Sequence, residues 1–231
     1  MTTETAVRNN GHKGLAKQVP TQEPGVTVMI KAPNFQTAQF KVIGLTPLVI
    51  HKFSEKAKMQ IVKTQSEGSK AKGKKVREPK DFEQVYQNAR HLSIEGWDGI
   101  PAAAFKSAMI SACRATDFVM TRAKQGILYI EADGEDATEK GTGLVRVYGT
   151  PEKDIRPARN DDGSVDIRAR PMWKEWSAVV RVKFDADMLS IESIANLLSR
   201  AGQQVGVCEG RPASKNSNGC GWGTFTVEGR A

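Results

Sequence analysis

Histidine and cysteine are scarce in this 231-residue chain, with three of each. Cys113, Cys208 and Cys220 form no CxxC pair and stand among too few histidines for a zinc site, so no metal is expected. An odd number of thiols suits a reducing compartment. No apolar run approaches the length of a membrane span, and the N-terminus carries no apolar signal core. The expectation is a cytoplasmic protein with no membrane partner. Catalytic signatures are thin as well. His12 falls in a polar tail, His51 and His91 are isolated in sequence, and no Ser-His-Asp or Cys-His arrangement has a recognisable local motif. Acidic clusters at Asp133, Glu135 and Asp136 and at Asp161 and Asp162 sit beside glycine, where solvated acids are the usual explanation. A two-metal nuclease site at one of them is the enzymatic alternative. No catalytic residue and no cofactor is therefore assigned.

What the chain has in excess is positive charge, +8 at neutral pH, which favours an acidic partner. Its distribution is uneven. Gly68 to Lys80 is dominated by Lys70, Lys72, Lys74, Lys75 and Arg77 and has almost nothing to bury. Such a run is either a solvated linker or a basic arm that grips phosphates, and the second reading is preferred. Ile167 to Trp176 interleaves Arg168 and Arg170 with Trp173 and Trp176, a pattern that lets bases stack on rings while arginine holds phosphate. Both arginines are expected to be exposed, and one tryptophan to contact the ligand unless the two pack as a core pair. Arg156 and Arg159 flank the same loop and extend the basic track. Lys106, near a helix start, adds charge to amides that already favour anions, if it does not simply snorkel along the surface.

Residues 1–25 read as a polar tail and 26–231 as a single domain, with a basic flexible insertion at about 66–80. A hydrophobic content of 39% is enough for one core. Strand-like alternation marks Val26–Ile30, Ala38–Ile43, Leu48–Ile50, Ile127–Ile130, Leu144–Tyr148 and Val179–Phe184. The fourth and fifth of these are expected to pair across an acidic loop. Helical spacing covers Phe53–Gln65, Asp81–His91 with Asp81 as cap, Ala102–Ala115 with proline at its start, and Ile191–Arg200 with Ser190 as cap. Helices set between non-adjacent strands indicate an α+β fold. The leading topology is a ferredoxin-like, RNA-recognition-motif-type antiparallel sheet with helical insertions.

The last thirty residues carry the strongest motif. Gly206-Val-Cys-Glu-Gly210 and Gly219-Cys-Gly-Trp-Gly223 bracket a polar stretch containing Arg211 and Lys215 and lead into a final strand. Glycine permits positive φ and close approach, so this is either a phosphate-contacting loop or a hairpin closing a sheet edge. Gly219, Gly221, Arg211 and Lys215 are candidate contacts, and Trp222 could stack a base or plug the sheet edge.

This loop, the helix start Ile100-Pro-Ala-Ala-Ala-Phe-Lys-Ser-Ala-Met109 and the strand end Gly44-Leu-Thr-Pro-Leu48 together resemble the RAMP superfamily. These are RNA-recognition-fold proteins that include the backbone subunits of CRISPR effector complexes, and the compact layout looks like a phage- or mobile-element-encoded relative. The first glycine cluster is looser than the usual form. The resemblance implies a ferredoxin-like core that binds single-stranded nucleic acid and assembles side by side along it. The leading expectation is a non-catalytic single-stranded DNA- or RNA-binding protein that forms homo-oligomers, in phage-type replication or recombination. A subunit of an RNA-guided complex and a metal-dependent nuclease are the alternatives, and DNA versus RNA is left open.

Overall fold

The computed structural model describes residues 30–53, 58–59, 62–63, 66, 80–159, 165–214 and 220–229, and of Arg159 the backbone alone. In chain order the elements are β1 (Phe35–Gly44), β2 (Leu48–Val49), α1 (Phe82–Asn88), β3 (Gly99–Pro101), α2 (Ala102–Ala112), α3 (Met120–Gly126) and β4 (Ile127–Glu131). There follow β5 (Gly134–Glu135), β6 (Gly143–Tyr148), β7 (Glu152–Arg159), β8 (Val165–Trp173), β9 (Ser177–Asp185), α4 (Ile191–Arg200) and β10 (Phe225–Val227).

Two antiparallel sheets organise these elements. The larger runs β10-β1-β9-β6-β3, with β4 also on β9 and β5 on β6; the smaller runs β2-β8-β7. Strand β9 explains the arrangement. Its residues alternate strictly, with Ala178, Val180, Val182 and Phe184 buried and their neighbours partly exposed. One edge pairs along its whole length with β1, from Phe35↔Asp185 to Ile43↔Ser177. The other edge is divided: β4 takes the Arg181–Phe184 half and β6 the Ser177–Ala178 half. The strands at 127–131 and 143–148 thus exist as expected but do not pair with each other: β4 pairs with β9, and β6 pairs with β3, β5 and the end of β9.

Two crossovers complete the sheet. Strands β1 and β4 both run antiparallel to β9, so the chain passing from one to the other through α2 joins two parallel strands with a third between them. Strands β9 and β10 are related in the same way across β1, through α4. Phe105 and Met109 of α2 and Ile194 and Leu198 of α4 meet Val42, Val180, Val182 and Phe184 in one buried cluster. Phe105 and Trp176 both set ring edges against Phe225, at centroid distances of 5.7 and 6.0 Å.

The helix caps follow the sequence. Asp81 accepts hydrogen bonds from Glu83 N and Gln84 N at 2.9 and 3.2 Å, and Ser190 Oγ accepts from Ser193 N at 3.1 Å. Pro101 is the N-cap of α2 instead of a residue in its first turn. Of the helix expected over 53–65, Lys58, Met59, Val62 and Lys63 are helical and Phe53 is not; Val26–Met29 and the tail lie outside the described residues. Residues 33–231 gather into one unit.

The tryptophans of the basic loop require a correction. That loop is the β7–β8 hairpin, and at its inner end Trp173 is fully buried and Trp176 is 4% exposed. The indole of Trp176 donates to Thr46 O at 2.9 Å. Neither ring offers a face to a ligand, so both belong to the core pair and not to a stacking platform. Trp173→Ala or Trp176→Ala should therefore cost about 3–5 kcal/mol of unfolding free energy. Chemical denaturation measures this; a loss below 1 kcal/mol would contradict the packing.

Candidate nucleic-acid interface

The glycine-rich segment leaves α4 through a π-helical turn, Ala201–Val205, and then adopts left-handed backbone at Gly206 (φ 72°), Cys208 (62°) and Gly210 (69°). Glycine is required where chains nearly touch. A Cβ on Gly223 would lie 2.0 Å from the Val207 carbonyl oxygen, and one on Gly210 would lie 2.5 Å from Cε3 of Trp222. Backbone bonds then staple the segment down. Val207 N donates to Gly223 O (2.9 Å), Gly223 N to Pro47 O (2.8 Å) and Glu209 N to Val49 O (3.0 Å). Thr46 Oγ1 donates to Gly221 O at 2.9 Å, tying in the turn after β1.

This loop, the outer face of α2 at Ala104, Ser107 and Ser111, and one face of the β7–β8 hairpin enclose a groove of about 940 Å³. The hairpin face is unusual. Arg156 stands directly opposite Arg168, and Asp154 opposite Arg170. Like charges facing across a ladder oppose each other. Asp154 accepts from Arg156 Nε at 2.6 Å and from Arg170 at 3.2 Å, and Glu209 of the glycine loop accepts from Arg170 at 2.6 Å and Arg168 at 3.3 Å. With Arg211 on the loop, the groove lining holds four arginines against Glu209, and Asp154 stands behind them.

Glu209 is the junction of this network. Burial alone would raise its carboxyl, but the hydrogen bond from His51 and the charges of Arg170 and Arg168 outweigh it and hold the group down at about 2. The neighbouring Cys208 thiol is pushed up to about 12 by burial, which leaves it protonated and unsuited to nucleophilic work.

A second buried network includes His91, which lines the groove. Lys52 Nζ meets Asp136 Oδ1 at 2.6 Å and His91 Nδ1 meets Asp136 Oδ2 at 2.7 Å, with Lys52, His91 and Asp136 all buried. Backbone amides of Thr138 and Glu139 also donate to Asp136 Oδ1. Burial opposes ionisation of Asp136, yet these donors hold its carboxyl far below the usual carboxylate range. Potential ligand atoms of His91, Asp136 and Glu139 lie within 4.8 Å of one another. The cations already serving these acids are ammonium groups, from Lys52 to Asp136 and from Lys58 to Glu139, so the cluster does not fit a metal.

The expected contact residues divide as follows. Arg156, Arg168, Arg170, Arg211 and Trp222 all line the groove. Arg170, expected to be exposed, is 4% exposed because it is clamped between Asp154 and Glu209; Arg168 is half-buried and Arg156 is exposed. Trp222 is covered by the guanidinium groups of Arg156 and Arg170, 5.4 and 5.6 Å from its ring, and by Gly210. It fastens the loop to the hairpin instead of offering an open stacking face. Lys106 turns away from the groove and donates to Leu128 O at 2.5 Å, so it does not reinforce the helix N-terminus. Gly221 adopts φ 66° with open space around it. Lys70, Lys72, Lys74, Lys75, Arg77, Lys215 and Gly219, and the side chain of Arg159, lie outside the described residues.

Sequence reasoning missed Glu209 and Lys52, and it named His51, His91 and Asp136 without finding their partners. The one available signal was the charged residue inside the first glycine cluster. No protein-family model and no curated protein matches this chain.

A pH response follows from Glu209. Its folded carboxyl sits at about 2, below its ordinary 4.5. Its contribution to stability is therefore complete above about pH 4.5 and is lost as pH falls toward 2. The melting temperature should decline across that interval, and Glu209→Gln should make the decline shallower; parallel curves for the two proteins would contradict the clamp.

Proposed function

We propose that this chain binds single-stranded nucleic acid in the groove between the glycine-rich loop, α2 and the β7–β8 hairpin. The observation that carries this reading is the convergence of Arg156, Arg168, Arg170 and Arg211 on one groove of about 940 Å³, large enough for a short stretch of backbone. Arginine forks suit phosphate oxygens, and Arg156 and Arg168 stand directly opposite each other on the hairpin face. All three segments that resemble the RAMP superfamily meet here. The helix start at Pro101 and the glycine loop line the groove, and the Gly44–Leu48 turn holds the loop in place. The order β10-β1-β9-β4, with two crossovers through helices, supports a ferredoxin-like reading of the core. Assembly side by side along a strand is part of the same proposal. Strand β7 pairs with β8 alone among the described strands, which leaves one of its edges free to recruit a neighbour.

Binding should be salt-dependent. With oligonucleotides of matched DNA and RNA sequence, log affinity should fall linearly with log salt, by a slope of about 0.7 per phosphate contacted. Arg156→Gln with Arg168→Gln should weaken binding at low salt and flatten the slope by roughly 0.7 for each arginine that touches phosphate. Neutralising Lys72, Lys74 and Lys75 in the same assay asks whether the basic segment adds to the groove. Unchanged affinity and slope in the arginine pair would remove the groove as the binding site.

Assembly has its own measurement. Light scattering over oligonucleotides of increasing length should show particles that grow with the strand, through open head-to-tail contacts. One protein bound per strand at every length would leave a binding module without a filament.

A further inference from the structure

Binding by four arginines leaves one groove residue unexplained, a carboxylate standing among them. Glu209 lines the groove with 26% of its side chain exposed. Its Oε1 accepts from Nη1 of Arg170 at 2.6 Å and from Nη1 of Arg168 at 3.3 Å, while Oε2 faces His51 at 3.2 Å. Asp154, the other acid of the network, keeps only 7% of its side chain exposed and is not part of the lining. A ligand in the groove therefore meets Glu209 directly and Asp154 only through the arginines. The Glu209 carboxyl is held at about 2, which leaves it ionised at neutral pH.

The two arginines it serves are not equally committed. Arg170 is buried and needs its counter-charges, and its bond to Glu209 is the shorter one. Arg168 is half-buried, and its bond to the same oxygen is longer by 0.7 Å (3.3 minus 2.6). The backbone beneath Glu209 is pinned, since its amide donates to Val49 O at 3.0 Å. A phosphate can thus take Arg168 while the carboxylate stays beside it on Arg170, and neither the loop nor the hairpin has to move.

We propose that Glu209 makes the groove selective for the internal, singly charged phosphodiesters of a strand over doubly charged terminal phosphates. This rests on the reading that the groove takes single-stranded nucleic acid. A phosphate oxygen lies about 2.8 Å from a guanidinium nitrogen that bonds it, so a phosphate on Arg168 is only a few ångströms from the Glu209 carboxylate. Repulsion between the two grows with the charge on the ligand. A phosphodiester carries one negative charge, and a terminal phosphate carries close to two at pH 7 and above. The second charge gains little in return, because each hairpin arginine already has a carboxylate: Arg156 has Asp154, Arg168 has Glu209 and Arg170 has both. In a half-exposed site the extra unit of repulsion amounts to roughly tenfold in affinity. The groove then prefers the middle of a strand to its phosphorylated end, which suits a protein that coats its ligand.

The test uses the intact chain and a labelled oligo(dT) with hydroxyl groups at both ends, displaced at pH 8 by either of two competitors. One is the dinucleotide TpT, with a single internal phosphodiester; the other is thymidine 5′-phosphate, with a doubly charged terminal group. The unmodified protein should favour TpT by about tenfold. Glu209→Gln, with its melting curve recorded, should bind oligo(dT) more tightly and lose about tenfold of that preference. A second measurement needs no variant: the carbon-13 resonance of the Glu209 carboxyl group should shift when TpT is added to the unmodified protein. Equal competition by the two probes, a folded Glu209→Gln protein that keeps the preference, or a carboxyl resonance that does not move overturns the proposal. Each of these outcomes leaves the binding reading standing, provided oligo(dT) is bound. Failure of both proteins to bind oligo(dT) overturns both.

Discussion

A buried arginine ties the two halves of the groove together. Arg170 is 4% exposed and would be intolerable there alone, since an uncompensated buried charge is strongly destabilising. Asp154 on the opposite strand and Glu209 on the glycine loop accept from its two Nη atoms, and its guanidinium covers Trp222. These contacts join the β7–β8 hairpin to a loop that begins 36 residues later (206 minus 170). The position of the loop, the depth of the groove and the orientation of His51 through Glu209 all depend on this one cation keeping both acids.

The larger sheet supplies what that clamp needs to push against. Helix α2 presents Phe105 and Met109 to the sheet and Ala104, Ser107 and Ser111 to the groove, so one element serves both the core and a wall of the site. Trp173 and Trp176 anchor the base of the hairpin in the same core, which sets how far Arg156 and Arg168 reach outward. The exposed face of the large sheet carries paired charges. Arg181 there is engaged by Glu131 and Asp133, and Lys41 by Glu228.

The strands at β1, β4, β6 and β9 and the caps at Asp81 and Ser190 were legible because period-two alternation and capping chemistry are local. The pairing of β4 and β6 was misread because nothing in either segment records that β4 pairs with β9 while β6 is taken by β3, β5 and the end of β9. The hairpin was hidden for a related reason. Residues 152–159 place charge or proline on both faces, so the alternation that marks a half-buried strand is absent. The arginines of the site were legible as a basic track, while the burial of Arg170 was not, since its partners stand 16 and 39 residues away. The histidine partners lie still farther off or on other elements: Asp136 is 45 residues from His91, and Lys52 is 84 from Asp136. Isolated histidines find such partners only after the chain has folded.

The full-length union of β1 with β9 also bears on how the molecule is made. Phe35 pairs with Asp185, and Ile43 with Ser177, so β1 waits for a strand made more than 130 residues later (177 minus 43 is 134). Contacts this distant carry a large loop-closure cost and form late. During synthesis Ala38 and Val42 stay uncovered until most of the chain has left the ribosome. The nascent chain is thus exposed to aggregation over the interval between the synthesis of β1 and that of β9.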